Sequence, residues 1–356
     1  MRFSIAVNPG RPSPSTDMRQ VMAEALDLVK IADQGGFDVA WTAEHHTIEL
    51  TVSPNPFQTL THWAGHTRNI RLGTAIVSAP YWNPIRLAGE AALCDIYSGG
   101  RLEMGLGRGA YQYEFDRMAG GVPQQEGGSF LRELVPVVKG LWAGEFAHEG
   151  KHFSFPATTS VPQPLQKNVP LWIAARDEST FRFAAEYGCN IMSTALRKPV
   201  AEVEDLHRKF LAATAGVPGA EGLKHATLRT SCVFADKAGS DQAVRSMIDF
   251  GRSFENLFKN VGEVRNGYPE PVDFDVVANR NEYQPEQLLE NMMFGHPEQI
   301  IEKLERYRAI GIDHFIYGSS FFLPHRNAVR SLELFCDQVL PHFQKQDAVR
   351  EAALAH

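Results

Sequence analysis

Eight short apolar runs, separated by stretches with helical periodicity, restrict this chain's fold more than any other feature of its sequence. The runs are Arg2–Val7, Phe37–Thr42, Ile70–Ser78, Arg101–Gly107, Val169–Ala175, Asn190–Thr194, Thr227–Ala235 and Asp313–Tyr317. Continuous apolar runs rich in β-branched residues read as parallel strands buried on both faces. Between the first two lies a clear helix, with Asp17 as its cap and Gly35-Gly36 as its stop. Its apolar stripe is Val21, Ala25, Leu28, Val29 and Ala32. Strict strand–helix alternation over eight strands predicts an α/β (β/α)8 barrel across residues 1–356, with a doubly wound sheet as the alternative. A chain of 356 residues suits one such barrel.

Two connections are too long to be simple links. Residues 110–166, after the fourth strand, contain a helix over Phe130–Trp142 and a hairpin-like turn at His148–Phe153. Residues 250–294, after the seventh strand, are rich in Asn, Gly, Pro and acidic residues. Long excursions from a compact barrel are commonly lids or binding loops, so the second is expected to cover the site. An inert surface excursion is the plainer reading of the same residues.

A net charge of −7 argues against a nucleic-acid or anionic-membrane surface, and no apolar run is long enough to span a bilayer. The first residues read as a strand, not as a leader. The four cysteines, Cys94, Cys189, Cys232 and Cys336, are widely spaced with no C-x-x-C pair. They are expected to be reduced, in a cytoplasmic protein.

Three strand ends carry the candidate chemistry. The second strand runs into Glu44-His45-His46. Successive side chains on a strand diverge, so one imidazole faces a central site more easily than two. Histidine also changes charge most readily near neutral pH. Metal binding by this pair would need ligands from elsewhere, and no metal is expected. The fourth strand ends in Gly105-Leu106-Gly107-Arg108-Gly109-Ala110. Gly105, Gly107 and Ala110 match a relaxed dinucleotide fingerprint, with Glu126 near the ribose-acid position. The match lies three strands in and no clear helix follows, so a glycine-lined strand end beside a planar ligand fits better, with Arg108 aimed at a phosphate. The fifth strand ends in Arg176-Asp177-Glu178-Ser179-Thr180 before a helix. Two readings fit this turn: an anion site built from helix-start amides and the Ser179 and Thr180 hydroxyls, or plain capping by the acids.

These clusters, in this order, resemble the bacterial luciferase-like family of flavin-dependent monooxygenases. The resemblance takes in Glu44-His45-His46, Arg71-Leu72-Gly73-Thr74-Ala75, Asn83-Pro84-Ile85-Arg86, the run Asp95–Leu102, Gly107-Arg108-Gly109 with Tyr111, and Gly295–Ile300. It implies a barrel that uses reduced FMN from a separate flavin reductase, with O2, to oxidise a small organic substrate, aldehyde-like or otherwise apolar. It implies His45 as the catalytic histidine. The implied cofactor-binding residues are Thr74, Ala75, Arg108, Gly109, Arg176, Asp177, Ser179 and Thr180. A non-proline cis bond is implied at Thr74–Ala75, and a homodimer is plausible for the family. Departures are Arg176-Asp177 where luciferase has Glu-Ser, and Gly107 where it has a reactive cysteine. Light emission is not implied. The alternatives are an F420-dependent hydride-transfer enzyme and a flavin-binding protein without catalysis.

Overall fold

In a computed structural model, whose described residues are 1–346, all eight expected runs form strands. They are β1 (Arg2–Ala6), β2 (Val39–Thr42), β3 (Arg71–Ser78), β4 (Leu102–Gly107), β5 (Leu171–Ala174), β6 (Asn190–Thr194), β7 (His225–Val233) and β8 (His314–Gly318). Every barrel pairing is parallel, each strand lying beside its sequence neighbours. The β1–β8 pair, from Arg2↔His314 to Ala6↔Gly318, closes the ring. The expected (β/α)8 barrel is the fold observed. The dinucleotide reading of β4 therefore falls, and Glu126 instead precedes a helix and pairs with Lys151 at 3.4 Å.

The helices are α1 (Met18–Gly35), α2 (Pro56–Ala64), α3 (Pro84–Tyr97), α4 (Gly127–Ala143), α5 (Glu178–Glu186), α6 (Val200–Thr214), α7 (Lys237–Lys259), α8 (Pro297–Ile310) and α9 (His325–Leu334). Helix α1 begins on the Asp17 side chain, which accepts from the Arg19 amide, and stops at Gly36 with φ 85°. That left-handed stop is available to glycine without a Cβ clash. Among the described residues no helix is long and apolar enough to cross a membrane. All four cysteines are free, three buried and Cys336 partly so.

Both long connections carry structure of their own. After β4 come a short helix (Gln112–Met118), α4, and an antiparallel hairpin of Phe146–Glu149 with Ser154–Thr158. After β7, α7 continues to Lys259. A small hairpin, two short helices and the strand Met293–Gly295 follow, the last pairing with Ser231–Val233 of β7. Buried Glu255 ties this second excursion down, meeting Arg197 and Arg280 at 2.6 Å each, Lys259 at 3.1 Å and the Tyr283 hydroxyl at 3.1 Å. Burial pushes the Glu255 carboxyl up, and the cations Arg280, Lys259 and Arg197 outweigh it, so the group stays below the usual carboxylate range.

The barrel interior packs Trp41 edge-on to Trp172 at 5.5 Å, with Met192, Ala226 and Ile316 around them. Trp172 Nε1 donates to Glu103 at 2.6 Å, and Arg71 neutralises that carboxylate at 2.7 Å. Two histidines are sealed into the wall: His314 against the Ser4 hydroxyl (2.9 Å) and His225 against the Ser193 hydroxyl (2.7 Å). Burial pushes each imidazole down to about 3. A histidine whose folded pKa is depressed binds fewer protons folded than unfolded. Its contribution is present above the unfolded value of about 6.5 and is lost as pH falls toward 3. The expected cost at pH 5 is about 2 kcal/mol per histidine. Melting curves at pH 7 and pH 5 check this: His225→Gln/His314→Gln should lose less on acidification than the parent, and an equal loss would refute the assignment.

Candidate active site

The carboxyl ends of β2 to β6 rim a cavity of about 900 Å3. Its lining is mostly apolar, with Ala174, Met192, Leu228 and Ile316 among it, and is interrupted by Glu44, His45, Arg108, Arg176, Asp177 and Glu202. Barrel enzymes gather their chemistry at this end of the strands.

One wall is built where β2 runs out. The Ala43 amide donates to Asn8 Oδ1 at 2.9 Å and the Glu44 amide to Ile76 O at 3.1 Å, which fixes the path of the strand tip. Glu44 is buried, and its carboxylate accepts from the Ser78 amide (2.8 Å), from Trp82 Nε1 (2.9 and 3.0 Å) and from His46 Nε2 (2.7 Å). His45 lines the cavity whereas His46 turns away, edge-on to Tyr81 at 5.6 Å. His45 stacks on Tyr111 at 5.2 Å, and its Nδ1 lies 3.2 Å from both oxygens of Glu114. A carboxylate accepts, so Nδ1 carries a proton and Nε2 is the ring nitrogen left for the cavity. Burial pushes the His45 imidazole down, but Glu114 and then Glu44 outweigh it, and the net shift is upward.

A second part of the lining comes from the ends of β4 and β5. Gly107 and Gly109 keep it thin: an added Cβ would meet Ile76 Cδ1 at 2.7 Å and the Phe115 ring at 2.7 Å, respectively, and Gly109 has φ 80°. Arg108 lines the cavity, is exposed, and makes no ion pair among the described residues. Arg176 pairs with Glu202 at 2.5 Å. Asp177 caps α5, accepting from the Thr180 amide (2.9 Å) and from the Thr180 and Ser179 hydroxyls (2.8 and 2.7 Å). The capping reading of this turn is therefore realised. Burial raises the Asp177 carboxyl, but these donors outweigh it and hold it low. Arg132, from α4, donates to Ser179 Oγ at 2.9 Å just outside the cavity.

The expected residues thus divide. His45, Ala75, Arg108, Gly109, Arg176, Asp177 and Thr180 line one cavity, while Ser179 stands just outside it. Thr74 is fully buried in the wall, its hydroxyl donating to Gly105 O (2.8 Å) and accepting from the Gly105 amide (2.9 Å), a strut between β3 and β4. The cis bond is Ala75–Ile76, one residue later than the resemblance implied. Glu114, Arg132 and Glu202 had no signal in the sequence, since each is defined only by a partner remote in the chain or by a surface charge resembling many others.

A phosphorylated planar ring fits this cavity. Its volume of about 900 Å3 admits one, and Arg108, a lining cation that makes no ion pair among the described residues, suits a phosphate. Arrangement and fold together define a barrel enzyme with a cofactor-sized cavity at the strand ends. The family model for luciferase-like monooxygenases matches residues 1–314, and the chain belongs to that family of flavin-dependent monooxygenases. It is 38% identical over 354 residues, covering 99% of this chain and 98% of the other, to the oxygenase component of a flavin-dependent trigonelline monooxygenase from Acinetobacter baylyi. Among solved structures it resembles the oxygenating constituent of 3,6-diketocamphane monooxygenase from Pseudomonas putida, in complex with FMN (TM-score 0.77, 19% identity, 96% and 98% covered). It also resembles an F420-dependent secondary alcohol dehydrogenase (TM-score 0.73, 21% identity, 95% and 97% covered). At those identities the likeness to the two structures is one of fold alone.

Proposed function

We propose that this chain is the oxygenase component of a two-component system, binding reduced FMN supplied by a separate reductase and using O2 to oxidise a small organic molecule. The observation that carries this reading is a cavity lined both by Arg108, which makes no ion pair among the described residues, and by His45, whose imidazole is backed by the Glu114 carboxylate. Bound reduced flavin supplies the electron pair with which one oxygen atom of O2 enters the substrate and the other leaves as water. Arg108 holds the phosphate, with Arg176, Thr180 and the α5 start beside it. Arg176 and Arg132 are already partnered by Glu202 and Ser179, so Arg108 contributes most of the new charge pairing. Ala75, Gly107 and Gly109 let the ring lie against backbone. Tyr111 and the excursion helix α7, whose Phe254 meets Tyr111 at 6.4 Å, shield the His45 end from water.

A cavity of about 900 Å3 is near the upper end for one drug-sized ligand, leaving room for a compact second molecule. With a trigonelline monooxygenase component as a relative over nearly the whole chain, trigonelline is the first substrate to try. The test is oxygen uptake and product mass with reduced FMN, then with reduced F420, each with and without that compound. The expected result is an added oxygen atom with FMN only. Turnover with F420 and none with FMN would overturn the assignment.

A further inference from the structure

Glu114 is the least expected charge in the molecule. It sits on the short helix Gln112–Met118 of the first excursion, outside the barrel frame, and is 1% exposed. A buried carboxylate is costly unless it is paired and hydrogen-bonded. Its recorded partners are His45 Nδ1, 3.2 Å from each oxygen, and the His46 amide, which donates to Oε1 at 2.7 Å.

We propose that Glu114 is the positioning residue of this site, gripping Nδ1 of His45 and the main chain at His46 so that Nε2 is presented to the cavity as a proton donor. The inference rests on the reading of His45 as the group that handles a proton, and it adds which direction the proton moves. A neutral imidazole would leave the Glu114 charge buried with no cation against it, so the pair favours imidazolium. The Tyr111 ring, stacked at 5.2 Å, restrains the imidazole from turning the wrong nitrogen inward. The other titratable groups around His45 are Glu44 and His46, already paired with each other at 2.7 Å, and the phenols of Tyr111 and Tyr81, which burial keeps protonated. The cavity is also lined by Arg108, Arg176, Asp177 and Glu202, whose charges balance in sum.

In the step assigned to it, the Nε2–H bond of His45 breaks and an O–H bond forms on the oxygen that leaves as water. The electrons come from the reduced flavin, the second oxygen atom goes to substrate, and the imidazole recovers its proton from solvent.

The test is an imidazole NMR titration of the unliganded protein, with the His45 signal identified by its loss in His45→Asn. The expected result is a His45 midpoint above that of an ordinary histidine in the parent, falling by about one pH unit or more in Glu114→Gln. Glu114→Gln keeps the shape and the acceptor for the His46 amide but removes the charge. The alkaline limb of kcat against pH should move down with the midpoint, KM for flavin should hold, and Glu114→Asp should recover part of the shift. A His45 midpoint at or below the ordinary value in the parent, or one unmoved in folded Glu114→Gln, overturns the proposal. If Glu114→Gln does not fold, the parent titration decides alone. A raised midpoint alongside full turnover in His45→Ala would overturn the catalytic reading of His45, and with it the proton step, while leaving the grip of Glu114 on the ring standing.

Discussion

His45→Ala should lower product formation by about two to four orders of magnitude, the range that a positioned proton-transfer group supplies, while FMN affinity stays within a few-fold of the parent. The loss should be large because nothing nearby can substitute. Glu44 also lines the cavity, but its oxygens are taken up by the Ser78 amide, Trp82 and His46. His46 is committed to Glu44 and turned toward Tyr81. Removing the ring should leave Glu114 buried with only the His46 amide for a partner, so some stability is lost too. His45→Gln therefore belongs in the same experiment as a milder truncation. The measurement is product per reduced FMN consumed: O2 should still disappear, with hydrogen peroxide released in place of product. Full coupling in His45→Ala would remove this residue from the chemistry.

The second large effect concerns Arg108. Arg108→Ala should weaken FMN binding by about 10- to 100-fold, the loss of charge-assisted hydrogen bonds worth roughly 1.5–3 kcal/mol. Riboflavin, which has the same ring and no phosphate, should bind parent and variant alike. Arg108 is chosen over its neighbours because Arg176 is held by Glu202 and Arg132 donates to Ser179, so their loss would disturb existing structure as well as the ligand. Titrations followed by flavin fluorescence would give both affinities. Equal weakening of FMN and riboflavin would mean that Arg108 shapes the slot without meeting the phosphate.

What the sequence revealed follows from what is local. The barrel strands are fixed by uninterrupted apolar runs, and their polar tips, Glu44-His45-His46 and Gly107-Arg108-Gly109, announce themselves by breaking those runs. The edges shift where local chemistry intervenes. β5 starts at Leu171 because Pro170 has no amide for the ladder, and β7 runs two residues earlier at each end than its apolar pattern suggested. Thr74 shows the opposite limit: a polar residue on a strand near the site looks like a ligand contact until its partner, Gly105 on the next strand, is known. Glu114 was illegible for the same reason. It lies 69 positions from His45 in an excursion with no barrel periodicity, and only the fold brings the two within 3.2 Å. The turn at Asp177 allowed two readings because capping and anion binding use the same amides.

FMN is expected between Arg108 and His45, and a structure of the protein with FMN bound would decide it. The phosphate should lie within hydrogen-bonding distance of the Arg108 guanidinium, near Thr180 and the start of α5, with the ring against Ala75–Ile76 and facing His45. A phosphate seated instead in the pocket after β8, beside Ser319, Ser320 and the start of α9, where many barrels hold theirs, would contradict it.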